Sequence, residues 1–577
     1  MSTTAWADHA HRVSRIPLVV VELDLDWVAE PQVAPVNPDG SLCYRTPTTT
    51  RQGTFPASTR TRRWMSTSQR PFATLDAIPC VASVAIAAEE IRIGRGLGFF
   101  GKATVKLTDF TDDDRRAEEP FAEDPSRAGL DPSAGSYLGK LLARNPYWTN
   151  RPIRVLEGWT TDGTWDPAEA IIHHYFVRDV QGPTDGSLTI TCAGPLQLLN
   201  LTEIEAPAPS DGTLLGDLNE LATTATLADP VIAEDYPPSG FLRLGEEVVA
   251  YTRTGMSLAL TREQHGTTAS SHQAGDTLQW VLAYQNAPIV TIIADLLTTY
   301  GKVAPENLAL DQWTKEANDW LGDYLLSGLM TQPTKVLDLV QELLEIAVCV
   351  FWWDDQTGTI RLKAVRPASV AVDTWNDQAH LLDRPQVKRD MTERISRTDI
   401  LCDLRSASQD PKKASSYRIR LIGEEQGASP QEHGSSKVKL LSSRWLNARN
   451  FALGNRATYQ ITAQLRDGRQ TIVVQVSAKD AHRQIGDVID LLSRDLTDCR
   501  GLPIPTRCFV TRRDIVKPGS TYRYTLERFG LGGRFAFFTD TPMPDYPDAS
   551  SDQRDPGCFL AAEDGTGPNG DPPYLFA

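Results

Sequence analysis

Short runs of alternating hydrophobic and polar residues dominate the first two hundred positions of the chain. The clearest runs are 103–110 (ATVKLTDF), 153–157 (IRVLE) and 187–192 (SLTITC), each rich in β-branched residues and close to Gly, Pro or Asp. Alternation of this kind is typical of strands with one buried face. We therefore predict a β domain in this part of the chain.

The middle of the chain has helical periodicity instead. Residues 289–300 carry one apolar face and are followed by Gly301, a residue suited to ending a helix. Residues 336–348 carry a broader apolar stripe, which predicts the strongest helix of the chain. The run that follows, 351–364 (FWWDDQTGTIRLKA), predicts a hairpin.

Strand patterns flank this helical region on both sides. Residues 212–280 predict a compact β module with a hairpin around Gly245, and alternation returns after about position 387. A chain of 577 residues is also too long for one hydrophobic core. We predict a mainly β fold with a minor α component (α+β) and four domains: an N-terminal β domain at 1–205, an inserted small β module at 206–285, a mixed α/β helix–hairpin domain at 286–400, and a C-terminal β domain with an extended tail at 401–577.

Charge and composition argue against some classes of function. The formal net charge of −16 disfavours sequence-independent nucleic-acid binding, which needs a cationic surface. No apolar stretch approaches the roughly 20 residues that span a bilayer, and the first residues lack a secretory signal pattern. We therefore expect assembly in a cytoplasm, no stable membrane insertion, and free thiols at the eight scattered cysteines.

Several patterns that can carry chemistry have simpler structural interpretations. Residues 96–101 match G-x-G-x-x-G, but the strand-like run after them predicts a glycine-rich bend and not a dinucleotide site. His173 and His174 are adjacent on a predicted strand and face opposite sides, so they are badly placed to chelate one ion together. His265 and His272 flank a polar loop without an evident third ligand, so a metal site there is only weakly indicated.

Paired carboxylates are the remaining candidates for acid–base chemistry. Glu246 with Glu247, and Asp24 with Asp26, come nearest to the pair that a glycosidase uses. Charged positions on the exterior of strands explain both pairs adequately. The sequence has no G-x-S-x-G, H-E-x-x-H or phosphate-loop motif. We therefore predict that the chain is not an enzyme and has no catalytic residues.

Five stretches together resemble the central hub proteins at the tail tip or baseplate of siphophages and gene transfer agents. They follow the family's order and cover most of the chain. The stretches are 77–110 (with AIPCV, GRGLG and VKLTDF), 145–155 (NPYWTNRPIRV, leading to Gly158), 247–276 (with EVVAYT, LTREQHGTT and HQAGD), the helix–hairpin at 336–364, and 544–550 (PDYPDAS) with 553–554 and 573–574.

The resemblance also bears on a cofactor. Related proteins often carry four cysteines in the first domain, thought to hold an iron–sulfur cluster. Here Cys43 and Cys80 match the outer two positions, whereas the inner two are Thr50 and Met65. Neither side chain replaces a thiolate, so we expect a vestigial site with no cluster and no other cofactor or metal. Packing of Trp64 and Met65 would then stabilise that loop.

The resemblance implies a structural role in the virion. It implies a homotrimer in which each chain contributes two similar tube-like β-barrel domains, one within residues 1–200 and one drawing on residues after about 285. Six domains would surround the lumen and match a six-fold tube to a three-fold tip. The 212–280 module would project outward, and an acidic lumen would let DNA pass as cargo without adhering.

The implied partners are those of a tail tip assembled in the bacterial host cytoplasm. They are the distal tail protein ring, tail-tip fibre or central spike proteins, the tape measure protein and, for the outward module, a cell-surface glycan. Two alternatives stay open. One is a tail-associated enzyme that degrades cell wall or glycan, which needs a concave site with convergent carboxylates or a metal. The other is a receptor- or sugar-binding adhesin acting through the 212–280 module.

Overall fold

A computed structural model shows several β-sheets with helices in the minority, which confirms the predicted mainly β, α+β fold class. Within the part of the chain that it describes, none of the helices combines the length and apolar character needed to cross a bilayer. The structure describes residues 16–28, 57–67, 75–94, 96–98, 100–112, 135–160, 165–322, 324–365, 371–424, 437–497 and 500–528, with two-residue strands at 559–560 and 574–575.

A closed barrel of seven strands forms the N-terminal part. Its strands are β1 (Ile16–Val28), β2 (Ala57–Ser66), β3 (Ile78–Ile86), β5 (Lys102–Thr108), β6 (Pro152–Thr160), β7 (Ile171–Thr184) and β8 (Ser187–Ala193), while β4 (Glu89–Glu90) lies outside it. They follow the order β1-β2-β3-β5-β8-β7-β6, and β2 and β3 run parallel while the other neighbouring pairs are antiparallel. The predicted strands at 103–110, 153–157 and 187–192 are β5, β6 and β8.

The barrel encloses its own hydrophobic core. Alternate residues of β1, namely Val21, Leu23 and Leu25, are at most 2% exposed and pack with inward residues of the other strands. The helix α1 (Tyr137–Arg144) adds three apolar residues to this core. It begins at Ser136, whose hydroxyl accepts a hydrogen bond from the Gly139 amide.

The inserted module shares a sheet with the region that follows it. The strands are β9 (Thr224–Thr226), β10 (Ser239–Leu244), β11 (Glu247–Thr254), β12 (Ser257–Thr261), β13 (Leu278–Pro288) and β14 (Leu325–Met330), in the order β14-β13-β10-β11-β12-β9. The hairpin predicted around Gly245 is β10–β11. The first half of β13 pairs with β10 and its second half with β14, so one continuous strand joins the module to the helical region.

Helices and a hairpin form the centre of the molecule. They are α2 (Pro195–Thr202), α3 (Pro230–Ala233) in the module, α4 (Ile289–Asp295), α5 (Leu310–Glu316), α6 (Val336–Ala347), and the hairpin β15 (Cys349–Asp354) with β16 (Thr359–Ala364). The helix predicted at 289–300 is α-helical only to Asp295 and continues as a π-helical turn to Tyr300. Tertiary contacts accompany this wider turn, because Tyr284 hydrogen-bonds Asp295 and Tyr300 stacks on Trp280.

The C-terminal part contains two further sheets. The larger comprises β17 (Asp373–Asn376), β18 (Gln386–Asp390), β22 (Arg469–Ser477), β23 (Val488–Leu492), β24 (Thr506–Lys517) and β25 (Thr521–Arg528), in the order β17-β23-β24-β25-β22-β18, and β4 joins it beside β24. The smaller comprises β19 (Arg397–Leu404), β20 (Tyr417–Glu424) and β21 (Val438–Ser442), and α7 (Phe451–Leu465) packs on it. One hydrophobic core runs from α2 through the central helices and hairpin into the larger sheet.

Candidate functional site

The positions matched to the family's cysteines do not form a ligand set in the described residues. Cys43 and Thr50 lie outside those residues. Met65 and Cys80 are buried on the adjacent strands β2 and β3, but they belong to different hydrophobic clusters, Cys80 with the barrel core and Met65 with residues around Leu18. Over the described ranges, no group of three His, Cys, Asp or Glu side chains is placed to hold a metal ion.

The glycines at 96–101 let the barrel and the centre of the molecule approach closely. The strand β5 follows them, as predicted, and Leu97 pairs with Phe351 of the hairpin through the Gly98 amide, 2.7 Å from the Phe351 carbonyl oxygen. A Cβ atom at Gly101 would lie 2.6 Å from the Trp353 ring and one at Gly194 would lie 3.0 Å from it. These glycines therefore serve packing at a seam between the barrel and the hairpin.

The adjacent histidines of β7 face opposite sides, as predicted, and only one is fully buried. His173 is 0% exposed, and its Nδ1 lies 2.9 Å from Oδ2 of Asp355 in the β15–β16 turn. The His174 amide donates to the Asp355 carbonyl oxygen at 2.7 Å, and Trp353 donates from its ring to the His174 carbonyl oxygen at 3.1 Å. No local sequence pattern indicates this partner, which is 182 residues away in the chain.

Four elements, namely β4, β7, β24 and the β15–β16 hairpin, contribute ionisable side chains to the space around Asp355. The Tyr175 hydroxyl donates to Asp355, and Glu89 of β4 shares a hydrogen bond with it. The register of β4 against β24 places Arg513 opposite Glu89, with Nη1 of Arg513 3.7 Å from Oε1 of Glu89. We call this set the joint cluster; its members are Glu89, His173, Tyr175, Asp354, Asp355 and Arg513.

Aromatic and amide groups complete the surroundings of Arg513. Its guanidinium lies 5.5 Å from the ring centroid of Tyr522, and the Tyr522 hydroxyl donates to Glu157 of β6 at 3.0 Å. The amide oxygen of Gln356, in the orientation that satisfies its neighbours, accepts from both Nη atoms of Arg513 at 3.0 and 3.1 Å. The barrel, the hairpin and the larger C-terminal sheet thus meet at one arginine.

Burial controls protonation within the joint cluster. Burial and the neighbouring Asp355 raise the pKa of Glu89 well above its usual range. Burial also raises the pKa of Asp355, against the hydrogen bonds from Glu89 and Tyr175. Burial lowers the pKa of His173, which keeps that ring neutral. Both shifts favour a protonated form, and one proton shared by the two carboxyls leaves a single negative charge to face the Arg513 guanidinium.

The joint cluster is closed to substrates. Glu89 is 5% exposed, Arg513 is 2% exposed, and Asp355 and His173 are 0% exposed. A catalytic acid or base must come within hydrogen-bond reach of a reacting group, which this burial prevents. The arrangement is chemically suited to holding three parts of the molecule together.

The carboxylates at 246 and 247 have different environments, and one prediction about them is wrong. Glu246 is exposed beside Arg243, but Glu247 is 0% exposed and does not lie on a strand exterior. Arg262 donates to it from Nε and Nη2 at 2.7 and 2.5 Å, and His272 Nε2 lies 3.0 Å away. The Glu247 carboxylate can be buried because Arg262, which binds it through two hydrogen bonds, supplies the opposite charge.

These contacts fix Glu247 as a carboxylate. Burial alone raises its pKa, but the hydrogen bonds from Arg262, His272 and two backbone amides bring the pKa down to about 2. The residues come from the stretches EVVAYT, LTREQHGTT and HQAGD, so this part of the resemblance corresponds to one buried ion-pair network. A glycosidase acid needs a raised pKa, and Glu247 has the opposite shift.

The other carboxylate pair lies on the barrel. Asp24 accepts two hydrogen bonds from Arg154, at 2.8 and 2.9 Å, and one from Thr61 at 2.7 Å. Burial raises the pKa of Asp24, but these contacts outweigh that effect and hold the pKa below its usual range. The side chain of Asp26 lies outside the described part of the structure. Asp24 is therefore a charged position on a strand exterior, as predicted.

A polar groove of about 840 Å³ separates the inserted module from the rest of the molecule. Glu246, Asp338 and Lys412 are among its lining residues. On one wall Glu246 pairs with Arg243 at 2.9 Å, so that carboxylate is already engaged.

Comparisons with known proteins are limited to structure. Neither a protein-family model nor a curated protein sequence matches the chain. The tail protein from Neisseria meningitidis MC58 is similar over 78% of this chain and 98% of its own, with 10% identity and a TM-score of 0.37.

Two further solved structures are similar. The prophage MuSo2 43 kDa tail protein from Shewanella oneidensis is similar over 78% of this chain and 99% of its own, with 10% identity and a TM-score of 0.34. A chain of the virion of a native gene transfer agent particle is similar over 82% of this chain and 90% of its own, with 12% identity and a TM-score of 0.29. At these values the likenesses establish neither a family nor a function for the chain.

Proposed function

We propose that the chain is a structural protein of a phage tail or a related phage-derived particle. In this proposal it is the central hub of the tail tip, and three copies form a ring that continues the tube lumen and joins it to the tip or fibre. The observation that carries the proposal is the presence of two β bodies in one chain. These are the closed barrel within 16–193 and the larger sheet within 373–528.

The two β bodies of each chain matter because of the symmetry of the proposed ring. Three chains with two β bodies each place six β bodies around one axis, which matches a six-fold tube to a three-fold tip. The C-terminal sheet is open, and its edge strand β18 is exposed at four of five residues. Open sheet edges favour pairing with a neighbouring chain, and a closed ring would cover them.

The joint cluster supports the same role. Parts of a ring must keep a fixed relative orientation, and a seam built from buried hydrogen bonds and an arginine is suited to that requirement. In the proposed assembly the neighbours are the distal tail ring, the tape measure protein, and fibre or spike proteins, with DNA as passing cargo. No catalytic residue, cofactor or metal is part of this proposal.

The first test is the mass of the purified chain in solution. Multi-angle light scattering at several concentrations should give three times the 63.6 kDa chain mass, and electron micrographs should show rings with a central hole. Recovery of the chain from mildly disassembled particles provides a second source of material. A chain that is monomeric in both preparations would contradict the trimeric ring.

A further inference from the structure

The joint cluster has an unusual charge balance, since two carboxyls in contact face one cation. The groups around Glu89 come from every element that packs on it: Asp354 and Asp355 from the hairpin, His173 and Tyr175 from β7, Arg513 from β24, and Tyr524 from β25. Asp354 has its own partner, Arg361, at 3.0 Å. Arg513 is therefore left to balance Glu89 and Asp355.

A single proton on Glu89 makes the negative and positive charges of this group equal. With Glu89 protonated, its hydroxyl donates to Asp355, and one carboxylate faces one guanidinium. Without that proton, two carboxylates share a buried space with a single positive charge, which is strongly unfavourable. Asp355 Oδ2 already contacts His173 and Tyr175, so Oδ1, which has no other hydrogen-bond partner, is the acceptor available to the Glu89 hydroxyl.

We propose that the Glu89–Asp355 pair is a proton-dependent fastener between the barrel and the C-terminal sheet. Its shared proton holds β4 and the β15–β16 turn together, and loss of the proton loosens the seam that His173, Tyr175 and Arg513 build around them. The barrel would then separate more readily from the larger sheet. The device is independent of the proposed tail function.

The direction of the pH effect follows from the protonation states. The pKa of Glu89 is higher in the folded chain than in the unfolded chain, so the folded seam binds the proton more tightly. The contribution of this proton to the seam is therefore fully present below the unfolded-state pKa of Glu89 and is lost as the pH rises from there to the folded-state pKa. Burial lowers the pKa of His173, so its protonation weakens the seam on acidification; this opposite effect is common to the unsubstituted chain and its Glu89 variant.

Hydrogen exchange of the full chain tests the proposal directly. Glu89→Gln keeps a donor for Asp355 but has no proton to lose, so the seam amides of β4, β7 and the hairpin should stay protected at high pH. The ratio of exchange protection between this variant and the unsubstituted chain should be near one below the unfolded-state pKa, rise by about tenfold for each pH unit between the unfolded-state and folded-state pKa values, and level off above the folded-state pKa. Comparison at equal pH cancels the intrinsic pH dependence of exchange.

Glu90→Gln is the matched control. Glu90 is the next residue of the same strand, and its partly exposed carboxylate pairs with Arg512 at 2.9 Å. This variant should follow the unsubstituted chain at every pH. Equal pH profiles for all three proteins, or the same flat profile for Glu89→Gln and Glu90→Gln, would overturn the proposal.

Infrared spectroscopy gives a readout that does not depend on a variant folding well. The unsubstituted chain at neutral pH should show the carbonyl-stretch band of a protonated carboxylic acid. That band should lose the contribution of one carboxyl in Glu89→Gln, because this variant removes the protonated group. Absence of the band in the unsubstituted chain at neutral pH would show that no proton is shared and would overturn the proposal.

Discussion

The N-terminal barrel and the larger C-terminal sheet are built from mostly antiparallel strands but differ in how they bury apolar surface. The barrel closes on itself around its own core, to which α1 and Trp148 are added from outside the sheet. The C-terminal sheet is open, and its buried face belongs to the core that also contains the central helices and the hairpin. Closure makes the barrel a separable unit, whereas the open sheet depends on its neighbours.

Specific hydrogen bonds and close packing form the seam that joins the barrel to the sheet and the hairpin. Trp159 of the barrel donates to the Gly519 carbonyl oxygen at 2.8 Å, and Tyr522 of the sheet donates to Glu157. Trp353 packs against glycines at 101 and 194. Since the interior of the barrel forms a hydrophobic cluster separate from the core of the sheet, substitutions deep inside one body should leave the other largely intact.

Trp64→Ala should have the largest effect and should be confined to the barrel. Trp64 is fully buried, stacks on Trp148 at 6.2 Å between ring centroids, and donates to the Tyr137 hydroxyl at 3.1 Å. Its removal leaves a cavity and takes away this hydrogen bond to the Tyr137 hydroxyl, with a cost of about 3–5 kcal/mol. Calorimetry and hydrogen exchange should show a lower transition for the barrel and an unchanged one for the sheet.

Trp375→Ala is the counterpart in the sheet. Trp375 is equally buried and lies edge-on to Tyr524, with 5.2 Å between ring centroids. Because its core is shared, this substitution should weaken the sheet, the hairpin and the central helices together. If both tryptophan variants lowered one common transition by equal amounts, the two bodies would be a single cooperative unit and the comparison would fail.

Glu247→Gln should destabilise the inserted module by about 3 kcal/mol, because it leaves the buried Arg262 without a full counter-charge. The adjacent Glu246→Gln, whose side chain is 80% exposed, should change stability by less than about 0.5 kcal/mol. Hydrogen exchange of residues 212–280 measures both. Similar losses of protection in the two variants would show that the buried network does not stabilise the module.

The same network predicts how the module responds to acid. The pKa of Glu247 is lowered to about 2 in the folded chain. A lowered carboxyl pKa stabilises the folded state above the ordinary glutamate range, and that stabilisation is lost as the pH falls towards about 2. The module should thus unfold in acid, and Glu247→Gln should abolish this dependence. The joint cluster should respond in the opposite sense, weakening as the pH rises.

Gly101→Ala should loosen the seam by about 2–3 kcal/mol. Gly101 has a φ of +81°, and an added Cβ would lie 2.6 Å from the Trp353 ring, so the substitution combines backbone strain with a steric clash. Gly186→Ala provides the control, because its φ is +69° and its added Cβ would meet nothing within 4 Å. That variant should cost only about 1 kcal/mol. Equal costs would mean that the seam is not closely packed at Trp353.

The sequence allowed the local elements to be predicted and left their long-range pairing open. The helix at 336–348 could be read from its periodicity, and it ends at Ala347 because Val348 adopts a left-handed conformation with φ 50°. The contact between His173 and Asp355 depends on folding across 182 residues and leaves no local pattern. The same reason explains why Glu247 looked like a surface charge, since its partners Arg262 and His272 are brought to it only by the folded module.

The smallest predicted effect distinguishes two arginines on the barrel exterior. Arg63 pairs with Glu22 at 2.7 Å, but its side chain is 42% exposed, so water and salt screen the pair and Arg63→Ala should cost at most about 0.5 kcal/mol. Arg154 binds Asp24 in a bidentate manner and also contacts Glu22 at 2.9 Å, with its side chain 23% exposed. Because two hydrogen bonds to Asp24 fix the Arg154 side chain, Arg154→Ala should cost about 1 kcal/mol and should raise the pKa of Asp24.

Chemical denaturation of the barrel at low and high salt distinguishes the two variants. The contribution of Arg63 to stability should vanish at high salt, while part of the contribution of Arg154 persists. If both variants lost the same stability and both losses vanished at high salt, the two ion pairs would behave as fully solvated pairs. The apolar interior alone would then stabilise the closed barrel.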